Sequence, residues 1–177
     1  MLAVAEREQL PVADARAGNA EAWAALFQRY RLPLYVYIFE LVRDEQTSLD
    51  LVQETFLSAF RHLKSLREDE KFGSWLFSIA HQKCVQLWRR RDQKVEPEMP
   101  EVDDSPVELL IREEQEEQFM KLLEELPVAQ RSAVVLHYVE DFSLDEIARI
   151  TGTNAGTVKS RLHYAKRTLR KLLEETP

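Results

Sequence analysis

Residues 143–173 read SLDEIARITGTNAGTVKSRLHYAKRTLRKLL, and this stretch predicts two helices joined by a tight turn. Ser143 is followed three residues later by Glu146, which is the spacing of a capping box that opens a helix. Gly152 interrupts the helical period and can adopt the left-handed backbone conformation that a tight turn requires. Thr153 is predicted to cap the second helix. The stretch therefore predicts a helix-turn-helix.

The second of these helices has an apolar face and a cationic face. Its apolar residues recur at spacings of three and four: Val158, Leu162, Ala165, Leu169 and Leu172. The opposite face carries Lys159, Ser160, His163, Lys166, Arg167, Arg170 and Lys171. Residues 154–171 contain six Lys or Arg and no acid, although the whole chain has a net charge of -7. Such a helix suits the DNA major groove, although basic faces are also common on ordinary solvated helices.

The composition favours an all-α protein, because glycine is scarce and good helix formers are abundant. No apolar run is long enough to span a bilayer, and we expect no signal peptide. The lone Cys84 excludes an internal disulfide, fits a reducing cytoplasm and is expected to be a small buried side chain. The scattered histidines give no metal-ligand spacing. We therefore expect no enzyme, no metal and no cofactor.

A strongly acidic segment separates two helical regions. Residues 93–126 contain three Lys or Arg against twelve Asp or Glu, for a net charge of -9. Prolines are frequent between Val95 and Pro106, and such a composition buries too little apolar area to fold alone. We predict two small helical domains, residues 1–92 and 113–177, joined by an acidic linker at 93–112. An amphipathic helix is expected to resume over 107–125.

The N-terminal region predicts a series of amphipathic helices. The first covers 6–17, and Asn19 caps a long one from Ala20 to about Val42, which Pro33 should kink or split. Thr47 or Ser48 is predicted to cap a third, from Leu49 to Leu66. After a polar loop, Arg67 to Lys71, the last runs from Phe72 to about Arg91. Three buried faces are predicted: Trp23, Leu26, Phe27, Tyr30, Leu34, Tyr37, Ile38 and Leu41; Leu49, Val52, Phe56, Ala59, Phe60 and Leu63; and Leu76, Ile79, Ala80, Cys84, Leu87 and Trp88.

Two N-terminal surfaces are candidates for function. The helix from Leu49 carries a second stripe at helical spacing, formed by Asp50, Gln53, Glu54, Leu57 and Arg61, with Leu51 beside it. A mixed acidic and apolar stripe can bind a protein, although an ordinary solvated face has the same pattern. The helix from Phe72 interleaves aromatic and cationic residues, namely Trp75, His81, Gln82, Lys83, Trp88, Arg89, Arg90 and Arg91. This pattern is typical of single-stranded DNA binding, although at least one tryptophan is expected to be largely buried.

Three segments together resemble the extracytoplasmic-function (ECF, group IV) sigma factors of bacterial RNA polymerase. They read DLVQETFL at 50–57, FGSWLFSIA at 72–80 and GTVKSRL at 156–162, and the run LPVAQR at 126–131 is also similar. The resemblance implies a sigma region 2-like domain at 1–92 and a region 4-like domain at 113–177. It implies core RNA polymerase and promoter DNA as partners, and makes an anti-sigma factor an expected third partner.

The resemblance also implies which residues act. The polymerase would be bound by Asp50, Leu51, Gln53, Glu54, Leu57 and Arg61. The single-stranded -10 element would be bound by Leu66, Trp75, His81, Gln82, Lys83, Arg89 and Arg90. The duplex -35 element would be bound by Asn154, Thr157, Lys159, Ser160, Arg161, His163, Tyr164, Lys166 and Arg167. Leu66 and Gln82 stand where many members have an aromatic residue and an asparagine, so the base preference at -10 stays open.

Two other classes of function remain as alternatives. A stand-alone helix-turn-helix regulator would bind a specific duplex without polymerase, as two half-sites if it were dimeric. An adaptor that sequesters a partner would never touch DNA. The cationic final helix and the cluster Arg89 to Arg91 disfavour the adaptor, and the open linker disfavours the regulator.

Overall fold

The computed structural model describes residues 10–91 and 119–175, with the side chains of Arg91 and Glu175 left out. The described residues form helices joined by short turns, and no β-strand occurs among them, as predicted. They make two compact units, one that holds residues 10–91 and the four residues 149–152, and one that holds 119–148 and 153–175. The predicted linker at 93–112 lies outside the described residues, and so do its two boundaries.

The N-terminal unit is built from four helices with two short 3₁₀ turns between the third and the fourth. The helices are α1 (Val12–Arg16), α2 (Ala20–Val42), α3 (Glu45–His62) and α4 (Phe72–Arg91), and the turns are Leu63–Ser65 and Asp69–Lys71. Helices α2, α3 and α4 pack against one another, and α1 packs on α2. Large side chains fill the core, namely Leu26, Leu34, Tyr37, Ile38, Phe72, Leu76 and Phe77.

The start of α2 was predicted correctly. The chain turns at Gly18, whose φ of +95° favours glycine. The Asn19 side chain then accepts hydrogen bonds from the backbone N–H groups of Glu21 at 2.9 Å and Ala22 at 3.1 Å. Pro33 lies inside α2 without dividing it, so the predicted split does not occur. Helix α1 is shorter than the predicted 6–17, of which residues 6–9 lie outside the described part.

The start of α3 differs from the prediction. Asp44, rather than Thr47 or Ser48, caps the helix, and its carboxylate accepts from the Thr47 N–H at 2.8 Å. Val52, Phe56, Ala59 and Leu63 are buried as predicted, whereas Leu49 and Phe60 are exposed. Their place in the core is taken by residues that the pattern did not select: Ser48, Leu51 and Thr55. The helix is therefore rotated relative to the predicted buried stripe.

Helix α4 has the predicted bounds. Leu76, Ala80 and Cys84 are fully buried, whereas Ile79, Leu87 and Trp88 keep partial exposure. Burial also raises the pKa of the Cys84 thiol to about 12, so this side chain is an inert thiol at neutral pH. Phe77 was not predicted to face inwards, yet it lies 5.4 Å from the Tyr37 ring in the core.

The C-terminal part of the described chain is also helical. Residues 119–123 are helical and residues 124–126 form a turn, so the helix predicted over 107–125 ends earlier, and its residues 107–118 lie outside the described part. The helices that follow are α5 (Val128–Val134), a π-helical turn (Val135–Val139), α6 (Leu144–Thr151) and α7 (Ala155–Glu175). Helices α5 and α7 pack together.

A buried arginine joins α5 to the helical residues before it. Arg131 Nε donates to the Leu123 carbonyl at 2.8 Å, and its Nη2 donates to those of Glu124 and Leu126 at 3.0 Å and 2.9 Å. The last carbonyls of a helix have no partner within it, so a cationic side chain there satisfies them. Arg131 thereby fixes the entry to the C-terminal helices.

None of the helices in the described ranges has an apolar stretch long enough to cross a membrane.

Candidate nucleic-acid interface

The capping box that opens α6 is present. The Ser143 N–H donates to Glu146 Oε2 at 2.9 Å, and the Glu146 N–H donates to Ser143 Oγ at 3.3 Å. The turn after α6 uses Gly152 at a φ of +67°, and the Thr153 N–H bonds back to the Ala148 carbonyl at 2.9 Å. The predicted helix-turn-helix geometry is therefore confirmed.

The cap of α7 is Asn154, one residue later than predicted. Its Oδ1 accepts from the Thr157 N–H at 2.8 Å, whereas the Thr153 hydroxyl donates to the Asn154 carbonyl at 3.4 Å. An amide side chain engaged in this cap holds the first turn of α7 in place. Asn154 was predicted to touch DNA, and in this structure its side-chain oxygen is occupied by the cap.

Helix α7 separates its apolar and cationic residues as predicted. Val158, Leu162, Ala165 and Leu169 are buried. Three members of the predicted -35 set are exposed, namely Asn154, Lys159 and Arg167, and five are partly exposed, namely Thr157, Arg161, His163, Tyr164 and Lys166. Ser160 is only 8% exposed, which corrects its placement on the cationic face.

One cation of α7 is held against the rest of the domain. Lys166 Nζ lies 5.6 Å from the centroid of the Tyr138 ring, which belongs to the π-helical turn. The His163 and Tyr164 rings meet edge to face at 5.7 Å. These contacts order side chains along the cationic face before any ligand arrives.

The predicted -10 residues on α4 are spread between surface and interior. Gln82, Arg89 and Arg90 are exposed, and Trp75 is partly exposed with its ring 6.0 Å from that of Phe72. Trp75 and Trp88 are each only partly exposed, which agrees with the expectation that at least one of them would be largely buried. The exposed residues leave an aromatic and cationic surface along α4, of the kind that binds single-stranded nucleic acid.

His81 and Lys83 are tied to neighbouring helices. The Tyr37 hydroxyl and His81 Nδ1 are hydrogen bonded at 2.8 Å, and Lys83 Nζ lies 3.5 Å from Glu54 Oε2. Tyr37 is fully buried and Lys83 is partly exposed. Both α4 side chains are thereby fixed in direction.

The loop that precedes α4 is fastened by a residue that sequence reasoning missed. Arg16, the last residue of α1, forms an ion pair with Asp69 and donates from Nη2 to the Leu66 carbonyl at 3.2 Å. The Leu66 side chain is buried, and its contact with DNA stays a prediction. Nothing in the local pattern pointed to Arg16, because these contacts join residues about fifty positions apart.

The predicted polymerase-binding stripe of α3 is exposed with one exception. Asp50, Gln53, Glu54 and Arg61 are exposed, and Leu57 is 55% exposed. Leu51, which the sequence placed beside the stripe, is buried. It supports the stripe from beneath and does not form part of its surface.

An exposed aromatic group that the sequence placed in the core lies close to this stripe. Phe60 is 60% exposed, with its ring 5.5 Å from Trp23, and Phe27 is 39% exposed, with its ring 4.7 Å from Phe56. The described residues hold no group of three His, Cys, Asp or Glu that could bind a metal ion.

Comparisons with known proteins identify the family of both helical regions. Residues 26–94 match the family model Sigma-70 region 2, and residues 116–169 match Sigma-70, region 4. The chain is 34% identical over 158 residues to the ECF RNA polymerase sigma factor SigM of Mycobacterium tuberculosis, across 89% of this chain and 80% of that one. It is 29% identical over 171 residues to the ECF RNA polymerase sigma factor BldN of Streptomyces coelicolor, across 93% of this chain but only 65% of that protein's length.

A solved structure shares the fold. The sigma factor RpoE, in complex with the anti-sigma factor NepR from Bartonella quintana, matches with a TM-score of 0.68 and 25% sequence identity, over 89% of this chain and 100% of that one. One chain thus matches both the region 2 and the region 4 models, and its relatives include sigma factors. These matches establish the family. The chain belongs to the extracytoplasmic-function sigma factors, the subunits that direct bacterial RNA polymerase to particular promoters.

Proposed function

We propose that this chain is a group IV sigma factor that divides promoter recognition between its two helical units. The N-terminal unit would bind core RNA polymerase and the single-stranded -10 element, and the C-terminal helices would bind the duplex -35 element. It would act in the cytoplasm and make or break no covalent bond itself. The observation that carries this proposal is the cationic face of α7, presented by a capped helix-turn-helix.

Helix α7 supports the assignment of duplex recognition. Its buried face packs the helix onto the domain and leaves Lys159 and Arg167 directed outwards. Cations bind the phosphate backbone regardless of sequence, and those that reach base edges give specificity. We therefore assign sequence reading to Lys159, near the N-terminal end of α7, where recognition helices contact bases. Arg167, two turns further along, suits phosphate contact.

Helix α4 and its preceding loop support the assignment of strand capture. A promoter base must leave its stack to be recognised as a single strand, and unstacking costs a few kcal/mol. Trp75 offers a ring for stacking, and Gln82 offers an amide for hydrogen bonds to a base. Arg89 and Arg90 at the end of α4 would follow the phosphates.

The exposed stripe of α3 supports the assignment of polymerase binding. Asp50 and Glu54 supply negative charge around Leu57, an exposed apolar side chain. Buried apolar contact surrounded by polar groups is the usual anatomy of a specific protein interface. Binding to polymerase would also place two modest DNA contacts in one complex, which raises affinity through effective concentration.

Control by an anti-sigma factor is part of the proposal. The RpoE structure that resembles this chain is a complex with an anti-sigma factor. An exposed apolar surface such as that around Leu57 and Phe60 is a reason for a protein to be covered until it is needed. An anti-sigma factor on this face would exclude polymerase directly.

Transcription in vitro tests the proposal. Core polymerase from the source bacterium is given this chain and fragmented genomic DNA, and the start sites are mapped. Discrete starts that share two spaced upstream motifs, and that need the chain, are expected. If core polymerase neither binds the chain nor initiates, while the chain alone protects specific duplex sites, a stand-alone regulator replaces the sigma factor.

A further inference from the structure

The loop between α3 and α4 is held by contacts from a residue that is distant along the chain. The loop runs through Leu66 and Glu68, whose backbones are extended, and lies between the 3₁₀ turns Leu63–Ser65 and Asp69–Lys71. Each extended residue keeps one hydrogen bond to the adjoining 3₁₀ turn, from the Leu66 N–H to the Leu63 carbonyl at 3.2 Å and from the Lys71 N–H to the Glu68 carbonyl at 3.1 Å. The Leu66 carbonyl bonds in addition to a group from outside the loop. The side chain that supplies such a group is Arg16, at the end of α1.

One nitrogen of Arg16 spans both ends of the loop. Its Nη2 donates to the Leu66 carbonyl at 3.2 Å and forms the ion pair with the Asp69 carboxylate. The Arg16 side chain is 29% exposed and that of Asp69 is 37% exposed, so water screens the pair only in part. The contact sets the distance between the two ends of the loop.

The bridge leaves the middle of the loop exposed, where Glu68 forms an ion pair with Lys71 at 2.6 Å. Arg67 and Glu68 lie between the two bridged positions and are exposed. Leu66 beneath them is buried, which anchors the first end of the loop to the core. A loop held at both ends with a polar, exposed middle is preorganised, and preorganisation lowers the entropy lost when a ligand is bound.

The proposed function places this loop at the -10 element, so we infer that Arg16 is a positioning residue for -10 recognition. Its guanidinium holds the loop from Leu66 to Asp69 in the shape that receives an unstacked base of the non-template strand. The inference rests on the proposed function, because a loop that never meets DNA would need no such preorganisation. Arg16 itself touches no base: it acts through the Leu66 carbonyl and the Asp69 carboxylate.

Base discrimination is the readout that separates positioning from mere folding. A destabilised domain would reduce transcription from every promoter by the same factor. A misshapen loop would instead reduce the ratio of initiation between the preferred base and other bases at the -10 position. We expect Arg16→Ala to lower that ratio about tenfold, because small misplacements of a recognition group have effects of at least this size.

The experiment uses the full chain with core polymerase and a promoter found by mapping start sites. Initiation is measured on the native duplex and on the same promoter with a pre-melted -10 region, with each base in turn at the recognised positions. The variants are Arg16→Ala, Arg16→Lys and Asp69→Asn, and the matched control is Arg31→Ala, which removes an exposed arginine of α2. Affinity for core polymerase and discrimination at the -35 element are measured in parallel.

The outcomes distinguish a failure of the inference about Arg16 from a failure of the proposed function. Reduced -10 discrimination in Arg16→Ala on both templates, a smaller reduction in Arg16→Lys and Asp69→Asn, and unchanged -35 discrimination support the inference. Wild-type discrimination in Arg16→Ala, or an equal decrease in Arg31→Ala, overturns it and leaves the proposed function intact. Failure of the wild-type chain to initiate at all overturns both. Asp69→Asn keeps the test decisive if Arg16→Ala does not fold, because Asp69 lies at the exposed end of the bridge.

Discussion

Lys83 of α4 lies against Glu54 of α3, with Lys83 Nζ 3.5 Å from Glu54 Oε2. The two residues belong to different proposed surfaces, since Glu54 lies on the stripe assigned to polymerase and Lys83 on the helix assigned to the -10 element. The Lys83 side chain is 19% exposed and that of Glu54 is 58% exposed. A partly exposed ion pair thus joins the surface proposed for polymerase to the surface proposed for the -10 element.

Substitution of the acidic residues of the α3 stripe should lower polymerase affinity without unfolding the domain. Glu54→Ala removes an ion pair that contributes at most about 1 kcal/mol, because one partner is well exposed. Asp50→Ala removes only a surface hydrogen bond from Gln46. We expect both variants to fold normally and to bind core polymerase more weakly, as measured by titration of a fluorescent sigma factor with polymerase.

Two further variants show why affinity changes. Glu45→Ala removes an exposed carboxylate from the same helix outside the stripe and should leave affinity unchanged. Lys83→Met breaks the same ion pair by removing the other partner. If it lowers polymerase affinity as much as Glu54→Ala does, the ion pair is responsible and not Glu54 itself. Normal affinity in both Asp50→Ala and Glu54→Ala would remove this face from the mechanism.

Lys159 is expected to read sequence at the -35 element. Lys159→Ala should lower promoter use by about 1–3 kcal/mol, and the decrease should depend on the -35 sequence if the ammonium group bonds to a base edge. Transcription from a set of promoters that differ only at -35 measures this dependence. Lys121→Ala, at an exposed lysine outside α7, is the matched control. A uniform decrease across all -35 sequences would instead mean that Lys159 contacts phosphate alone.

Arg131 should be a large contributor to the stability of the C-terminal helices. Arg131→Met keeps much of the side-chain volume but removes the hydrogen bonds from the guanidinium to the carbonyls of Leu123, Glu124 and Leu126. Hydrogen bonds from charged groups contribute about 1.5–3 kcal/mol each, so a loss of at least about 2 kcal/mol is expected. Amide hydrogen exchange in α5 and α7 measures it. Arg149→Met alters an exposed arginine, and equal exchange rates in the two variants would contradict this assignment.

The sequence predicted helix existence better than helix orientation. The bounds of α4 and the start of α2 follow from a clear apolar period and an asparagine cap, which are local features. In α3 the period was misleading because buried hydroxyls look polar in a sequence. Ser48 and Thr55 are buried because their hydroxyls donate to the backbone carbonyls of Asp44 and Leu51, each at 2.7 Å. Leu49 and Phe60 are exposed as a result.

The sequence could group those site residues that share one face of a helix. It could not predict contacts between residues that are distant along the chain. The cationic residues of α7 share a face because of helical spacing alone, so the sequence was sufficient to group them. Arg16 meets Leu66 and Asp69 only through the packing of α1 on α2, and no local pattern encodes that contact. Ser160 was placed on the cationic face by helical spacing, yet its surroundings in the fold leave it only 8% exposed, which spacing along one helix does not encode.

Glu140 should make the stability of the C-terminal helices depend on pH. Burial raises the pKa of its carboxyl from 4.5 to about 7, and its Oε1 is buried without a hydrogen-bond partner. Between these two values the unfolded chain ionises while the folded chain keeps its proton, so stability falls as pH rises and becomes constant above about 7. The decrease is on the order of 1–3 kcal/mol. Amide hydrogen exchange of α5 at pH 5 and pH 8 measures it after correction for the intrinsic exchange rates.

Glu140→Gln removes the titrating group and keeps a side chain of similar size. The variant should therefore lack this pH dependence and be more stable than the wild type at pH 8, because it has no charge to bury. Glu125→Gln changes an exposed carboxylate in the same part of the chain and should keep the wild-type slope. If Glu140→Gln and the wild type lose stability equally between pH 5 and pH 8, another group titrates and the unpaired Glu140 oxygen must be reached by water.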